Sequence, residues 1–288
     1  MNDLMSGIKN LREITGAGFL DCKKALEENN NDIEISIDFL RKKGLAKAGK
    51  ISSREANEGA VGIYSNEKFT IIIQINTETD FAAKNEVFLD FMDLIGNFSL
   101  KIDTSSITLE VFNNLKFEDV SISDHFKNII AKIGENIVLS KLIVIDNSEN
   151  MMISKYIHNS YRKNIGKIAV TLQVNVDQNN KSSNLLGKNL CMHIAASKPL
   201  AMNLKNLDSK LIEKEKEVQL ETIKASGKPD AIIEKILDGK MKKFYSECVF
   251  FNQQYILDTD KTIENVISDF SKKNNFEIIS YNLVVLGS

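Results

Sequence analysis

Three carboxylates crowd the stretch ETDFAAKNE: Glu78, Asp80 and Glu86. Hard oxygen ligands at such spacing suit magnesium, and through it a metal-assisted hydrolysis. Ligands must converge, however, and the sequence offers no second ligand-bearing loop. The histidines do not supply one either, because His125, His158 and His193 fall in separate elements, so a triad would need a long-range coincidence. His193 lies beside the apolar line Leu186, Leu190, Ile194 and reads as a packed structural residue. His125 opens a helix between Asp124 and Lys127 and reads as solvated. His158, in YIHNSYR with Tyr156 and Tyr161 nearby, is open to a contact role as well as a structural one. No GxxxxGK[ST] loop, no GxGxxG after a strand, no HExxH and no GxSxG is present, so backbone cradling of phosphate and the common hydrolytic sites have no candidate. Cys22, Cys191 and Cys248 are far apart and never form CxxC, which argues against a disulfide framework and a zinc site. The expectation is a chain with no catalytic residue, no bound metal and no cofactor.

What that acidic stretch does hold is a large apolar side chain. Phe81 stands between Asp80 and Ala82 on a short connection after a strongly apolar strand. It can fold back beneath its own loop, or it can serve as a wedge for a partner's pocket, worth about 1.5–3 kcal/mol when fully buried.

The elements that must position it follow from periodicity. Leu4, Ile8, Leu11 and Ile14 recur at helical spacing before TGAG breaks the helix. A second helix turns Phe19, Cys22, Ala25 and Leu26 inward. A third starts at Asn31, with Glu34 placed as in a capping box and Ile33, Ile37 and Leu40 on one stripe. From Arg41 to Arg54 there are six basic residues and no acidic one, which reads as a solvated linker or partly helical connector, with contact to an acidic protein surface as the other candidate. AVGIY, a SNEK turn and FTIIIQIN then form a β-hairpin with Phe69, Ile71, Ile73 and Ile75 on one face. Asn85 caps an amphipathic helix through Val87, Phe88, Phe91, Met92 and Ile95.

That unit recurs. Leu172-Gln173-Val174-Asn175 overlays Ile73-Gln74-Ile75-Asn76, after a strand-like SKYIHNSYRKN and before a helical run through Leu186, Leu190 and Ile194. Between the copies, Phe126, Ile129, Ile130 and Ile133 make a helix ending at Gly134, and NIVLSKLIVI returns as a strand. Two charged helices, Ser209 to Ala225 and Asp230 to Lys243, flank SGKP, with Gly227 suited to a left-handed helix end and Pro229 to the next first turn. Their sparse apolar positions, Leu211, Val218, Ile223, Ile232 and Ile236, fit a two-helix arm that holds a partner, and pairing with a second copy is one use open to it.

The fold class expected is α+β: a three-helix module, a duplicated core of antiparallel strands packed with helices, and a helical hairpin arm. The boundaries are 1–44 for the module, 45–58 for the basic linker, 59–140 for the first half of the core, 141–206 with 244–288 for the second half, and 207–243 for the arm. At 288 residues and 43% hydrophobic composition, the chain can bury more than one core. Thirty-seven basic against thirty-nine acidic residues leave a net charge of -2, without the basic excess of a nucleic-acid binder. No apolar run approaches the roughly 20 residues that span a bilayer. The amino terminus reads as a helix of the folded protein rather than a leader, so a cytoplasmic location is expected.

The stretches LREITGAGFLDCKKALEENNNDIEISIDFLRKKG, TDFAAKNEVF, KIGENI, MHIAASKP and GKMKKF resemble the elongation factor Ts family, in order and through nearly the whole chain. The resemblance implies a guanine-nucleotide exchange factor whose partner is elongation factor Tu with GDP, and a UBA-like fold for the three-helix module. It implies that Arg12, Leu20 and Lys23 lie in the surface docking on the partner's nucleotide-binding domain. Thr79, Asp80, Phe81 and Ala82 match the segment credited with dislodging the partner's magnesium, with alanine at 82 where many relatives have valine. Ile133 and Gly134 match a region near the phosphate side of the complex, and His158 a histidine touching another domain of the partner. Two other readings stay open: a scaffold that binds proteins without exchanging nucleotide, and the magnesium-dependent hydrolase of Glu78, Asp80 and Glu86.

Overall fold

The computed structural model describes residues 2–102, 107–147, 151–177, 180–226 and 229–287. Helices and antiparallel strands alternate in it as an α+β protein, and the chain divides into two compact units. The first comprises Met1–Asp146, Asn159–Lys167 and Val284–Ser288; the second comprises Asn147–His158 and Ile168–Leu283.

The first unit opens with α1 (Asn2–Thr15), α2 (Phe19–Glu28) and α3 (Ile33–Ile51). Ile8, Leu11, Cys22, Ala25, Leu26 and Leu40 form their shared core, with Leu4, Ile33 and Ile37 packed against it. Two residues expected inside are not there: Ile14 and Phe19 are exposed. A bundle this small fills its centre with one residue per turn from each helix, so the edges of the apolar stripes remain in water. The third helix is capped by Asp32, whose carboxylate accepts the Ile35 N–H, rather than by Asn31. Asn30 and Asn31 instead take up positive φ in the turn before it. Helix α3 also continues through most of the basic stretch, because Ala48 and Ile51 on its inner face are buried in the core of the adjoining sheet. Where α3 passes the later helix α7 (Ile122–Ile133), Gly44 permits the approach, since a Cβ there would lie 2.9 Å from that of Ala131.

Strands β1 (Glu58–Ser65) and β2 (Phe69–Thr77) pair antiparallel from Glu58 opposite Thr77 to Ser65 opposite Thr70. Next come α4 (Asp80–Ala83), α5 (Glu86–Ser99), α6 (Leu109–Asn114), the two-residue β3 (Lys116–Phe117) and β4 (Val120–Ser121), then α7 and β5 (Ile137–Asp146). In the sheet, β2 lies between β1 and β5, and every residue of it is buried. Its Phe69, Ile71, Ile73 and Ile75 pack in one core with Phe88, Met92 and Ile95 of α5 and Phe126, Ile129 and Ile130 of α7. The Asn85 carboxamide caps α5 by accepting from Val87 N–H at 2.9 Å, a contact worth about 1 kcal/mol.

The second unit contains β6 (Met151–His158) and β8 (Ile168–Val176), paired antiparallel; β7 (Ile165–Gly166), between them in sequence, belongs to the first unit and completes its sheet by pairing with β1. Helix α8 (Lys181–Ser197) packs on β6 and β8. Then follow α9 (Ser209–Ala225), α10 (Asp230–Cys248), β9 (Gln254–Tyr255), β10 (Asp258–Thr262), α11 (Ile263–Ser271) and β11 (Phe276–Val285), which lies beside β8. Each sheet thus has an antiparallel pair, a helix directly after its second strand or the short turn following it, and a later strand returning to the second strand's free edge. A serine of the returning strand donates to a carboxamide oxygen in both sheets, but at positions two residues apart in the overlay: Ser140 of β5 to Asn76 and Ser280 of β11 to Gln173.

Helices α9 and α10 run in opposite directions. Lys240 Nζ donates to Gln219 Oε1 at 2.7 Å, and Ile223, Leu237 and Met241 are buried in the seam with Ile212, Ile233 and Ile236 against them. Val218 and Ile232, expected in this seam, are exposed. Helix α10 continues past Lys243 to Cys248, which is buried with Ala201, Leu207 and Val249. Pro229 precedes the first helical residue as its cap, and Gly227 lies outside the described residues.

Candidate functional site

The connection after β2 is not an open loop but a single helical turn, α4. Four residues cannot hold a helix by their own hydrogen bonds, so the turn depends on its flanks. The Thr79 hydroxyl accepts the Ala82 N–H at 3.2 Å as an N-cap, and the Thr77 hydroxyl donates to Thr79 C=O at 2.8 Å. Ala82 and Ala83 are buried against the sheet while the Phe81 ring is 82% exposed. Small residues on one side let the turn sit close to β1 and β2, and the only large apolar side chain in it is left facing out. Phe81 therefore does not fold back beneath its own backbone. Asp80 Oδ2 lies 2.7 Å from Lys84 Nζ one turn on, and that hydrogen bond holds the Asp80 carboxyl below the usual carboxylate range.

Beside this turn lies the end of α7. Gly134 terminates the helix at φ +86° with its N–H donating to Ile130 C=O at 2.8 Å, the left-handed conformation that glycine adopts without a Cβ clash. The next residue, Glu135, accepts from both Thr79 N–H (2.9 Å) and the Thr79 hydroxyl (2.7 Å). In return Glu78 accepts the Asn136 N–H at 2.7 Å and lies 3.4 Å from the Arg54 guanidinium. The fold thus sets the surface of the turn, Thr79, Asp80 and Phe81, beside the helix end at Ile133 and Gly134 through the Glu135–Thr79 hydrogen bonds, with Ala82 buried beneath it. Nothing in the sequence spacing signalled Glu135 or Asn136, because their partners lie 56 and 58 residues away.

A cavity of about 560 Å³ joins this surface to the amino-terminal helices. Gly16, Ala17 and Gly18 of the α1–α2 turn line it, with Ile133, Gly134 and the cations Arg41, Lys43, Lys47 and Lys132. On the outer side of the same helices Arg12 lines a groove with Met5 and Phe19. Leu20 is 78% exposed, and Lys23 is exposed in an i,i+4 pair with Glu27. Met5, Ile14, Phe19 and Leu20, all exposed, give this module an apolar surface that its own core does not use.

His158 belongs to the second unit, at the last position of β6, where it is exposed and its Nδ1 lies 3.0 Å from the Tyr156 hydroxyl. His193 is fully buried, hydrogen-bonded to Gln253 at 2.9 Å and flanked by Phe250 and Tyr255. Burial pushes its imidazole below the ordinary value. His125 is not solvated as expected: its Nε2 lies 3.0 Å from Phe117 C=O and its ring packs on that of Phe117.

The three carboxylates that suggested magnesium are each engaged elsewhere. Glu78 turns to Asn136 and Arg54, Asp80 to Lys84, and Glu86 to Arg162. Among the described residues no group of three histidine, cysteine, aspartate or glutamate side chains is arranged to hold a metal ion. Nor, among them, is any helix long and apolar enough to cross a membrane.

The family model described as Elongation factor TS matches residues 78–288. A protein from Sinorhizobium fredii described as elongation factor Ts is 40% identical over 267 residues, 92% of this chain and 86% of the relative. One of the same description from Rhizobium meliloti is 39% identical over 265 residues, with 92% and 86% covered. Another, from Bartonella henselae, is 37% identical over 265 residues, again 92% and 86%.

Proposed function

The chain belongs to the elongation factor Ts family, and from that premise we propose that it is a guanine-nucleotide exchange factor. It binds elongation factor Tu carrying GDP, displaces the partner's magnesium and so promotes GDP release during translation elongation, in the cytoplasm. The observation that carries this reading is Phe81: a ring 82% exposed on a turn whose other face is buried has most of its burial still to gain.

Magnitudes decide how the work is divided. A nanomolar ligand is held by about 12 kcal/mol, and moving a site from almost all occupied to almost all vacant needs about 5.5 kcal/mol of differential affinity. One phenylalanine contributes about 1.5–3 kcal/mol, so it cannot act alone. In the proposed mechanism the three-helix module, UBA-like and docking through Arg12, Leu20 and Lys23, grips the partner in both nucleotide states. His158 touches a second domain of the partner. Thr79 to Ala82 and the turn at Ile133 and Gly134 fit only the magnesium-displaced state. By linkage, a nucleotide that rebinds expels the factor as strongly as the factor expels nucleotide. No bond is made or broken, so the factor is not an enzyme in the ordinary sense and needs no proton-transfer group. The common strand order of the two sheets supports reading them as copies of one ancestral unit, and α9 with α10 as an arm available to a partner or a second copy.

Stopped-flow release of a fluorescent GDP analogue from elongation factor Tu tests this. The chain should accelerate release strongly, and Phe81→Ala should bind yet accelerate far less. A chain that binds the GTPase and leaves release unchanged is a scaffold, and the exchange reading falls.

A further inference from the structure

Residues 78–79 and 135–136 face each other as two adjacent pairs, and each pair contributes one carboxylate and one backbone donor. Glu135 takes the N–H of Thr79, and Glu78 takes the N–H of Asn136. The hydroxyl of Thr79 adds a directional element. It has a single proton, which goes to Glu135 at 2.7 Å, leaving a lone pair for the Ala82 N–H at 3.2 Å. Glu135 thereby fixes the rotor of the residue that caps the turn bearing Phe81. Behind it, the buried Asn136 donates its carboxamide N–H to Arg54 and Ser52 carbonyls, which ties the pair to the end of α3.

We propose that Glu135 and Glu78 are positioning residues of the exchange surface: their reciprocal carboxylate–amide brace makes the Phe81 turn and the Gly134 turn one rigid body. This rests on the exchange reading above. Both carboxylates direct oxygens to the protein's own donors, so they act through the residues they hold. A single capped turn without the brace samples other orientations, and the ring reaches its pocket out of register with the Gly134 turn.

The test is GDP release measured against factor concentration for the full chain, with Glu135→Ala, Glu135→Gln, Phe81→Ala and the Glu135→Ala/Phe81→Ala double variant. Misplacement by an ångström costs up to about a hundredfold in rate. The expected result is a limiting release rate at saturating factor that falls by about tenfold or more for Glu135→Ala, while the half-saturating concentration moves little. Glu135→Gln, which keeps the shape but only one acceptor oxygen, lies between and stands in if the alanine variant does not fold. In the double variant the two losses should not multiply, because Glu135 acts through the turn that carries Phe81. A purely structural brace lowers the melting temperature and the active fraction but leaves the half-saturation and limiting rate of the folded fraction intact, and that outcome overturns the proposal. So does a double variant in which the losses multiply. If Phe81→Ala slows release and both Glu135 variants do not, the brace alone is refuted; if Phe81→Ala itself releases at the wild-type rate, the role of Phe81 falls and the brace with it, whereas only a wild-type chain that binds without accelerating release overturns the exchange reading.

Discussion

Phe81 and Ala83 stand two residues apart on one helical turn and face opposite ways, the ring 82% exposed and the methyl fully buried. Stability and function should therefore separate along this turn. Truncating a phenylalanine packed in a core costs about 3–5 kcal/mol, whereas an exposed one has little to lose. Phe81→Ala should unfold in urea within about 0.5 kcal/mol of the wild type while losing most of its effect on GDP release. Ala83→Leu should do the reverse at first order, destabilising by about 1–3 kcal/mol through overpacking against the sheet.

Gly134 offers a case in which only the backbone matters. A Cβ built there meets nothing within 4 Å, yet its φ is +86°. Gly134→Ala should cost about 1–2 kcal/mol, the penalty of a left-handed L-residue whose Cβ crowds its own following carbonyl, with no further clash against the rest of the fold. Gly134→Asn should cost less, since asparagine tolerates that region. Urea denaturation of the two variants checks the order, and equal costs would show that something other than φ is responsible.

Long periodic elements and local caps were legible in the sequence, and contacts between segments far apart in the chain were not. The stripe of Phe88, Met92 and Ile95, the cap at Asn85 and the left-handed stop at Gly134 all stand where their residue types put them, because each depends on neighbours within one or two turns. The turn at Asp80–Ala83 is too short for any period, and its stabilising partner Glu135 is distant in sequence. Ile14 and Phe19 were misplaced for a different reason. A helical pattern shows that a face is apolar but not how much of it a three-helix core can cover. The stretch from Arg41 onward is helical as far as Ile51, within the reading of a partly helical connector, but charge along one face gave no sign that Ala48 and Ile51 on the other are buried in the core.

Arg162 closes a cluster that predicts a salt dependence. Its guanidinium reaches Glu86, Asp90 at 2.7 Å and Asp93 at 2.9 Å, carboxylates on successive turns of α5, and Asp93 also accepts from the Tyr64 hydroxyl at 3.0 Å. Removing the cation leaves three like charges along one helix face. Arg162→Ala should melt below the wild type in dilute buffer, and the gap should narrow as salt is added, because screening weakens the attraction in one protein and the repulsion in the other. A gap that widens with salt would mean that packing of the arginine stem, rather than charge, is what the variant loses.

His193 supplies the pH dependence. The imidazole is buried and neutral beside Gln253, and desolvation lowers its proton affinity below the ordinary 6.5. The unfolded chain therefore takes up a proton at this site before the native one does. Stability rises with pH wherever the unfolded state binds more protons, so the contribution of His193 is complete above about pH 6.5 and is lost as pH falls from there toward its folded value. Each pH unit across that window is worth at most about 1.4 kcal/mol. Urea midpoints measured from pH 7.5 to pH 5 should show His193→Gln less stable than the wild type at neutral pH, through lost packing against Phe250 and Tyr255, but with a shallower decline toward acid. Parallel declines in the two proteins would place the titrating group elsewhere.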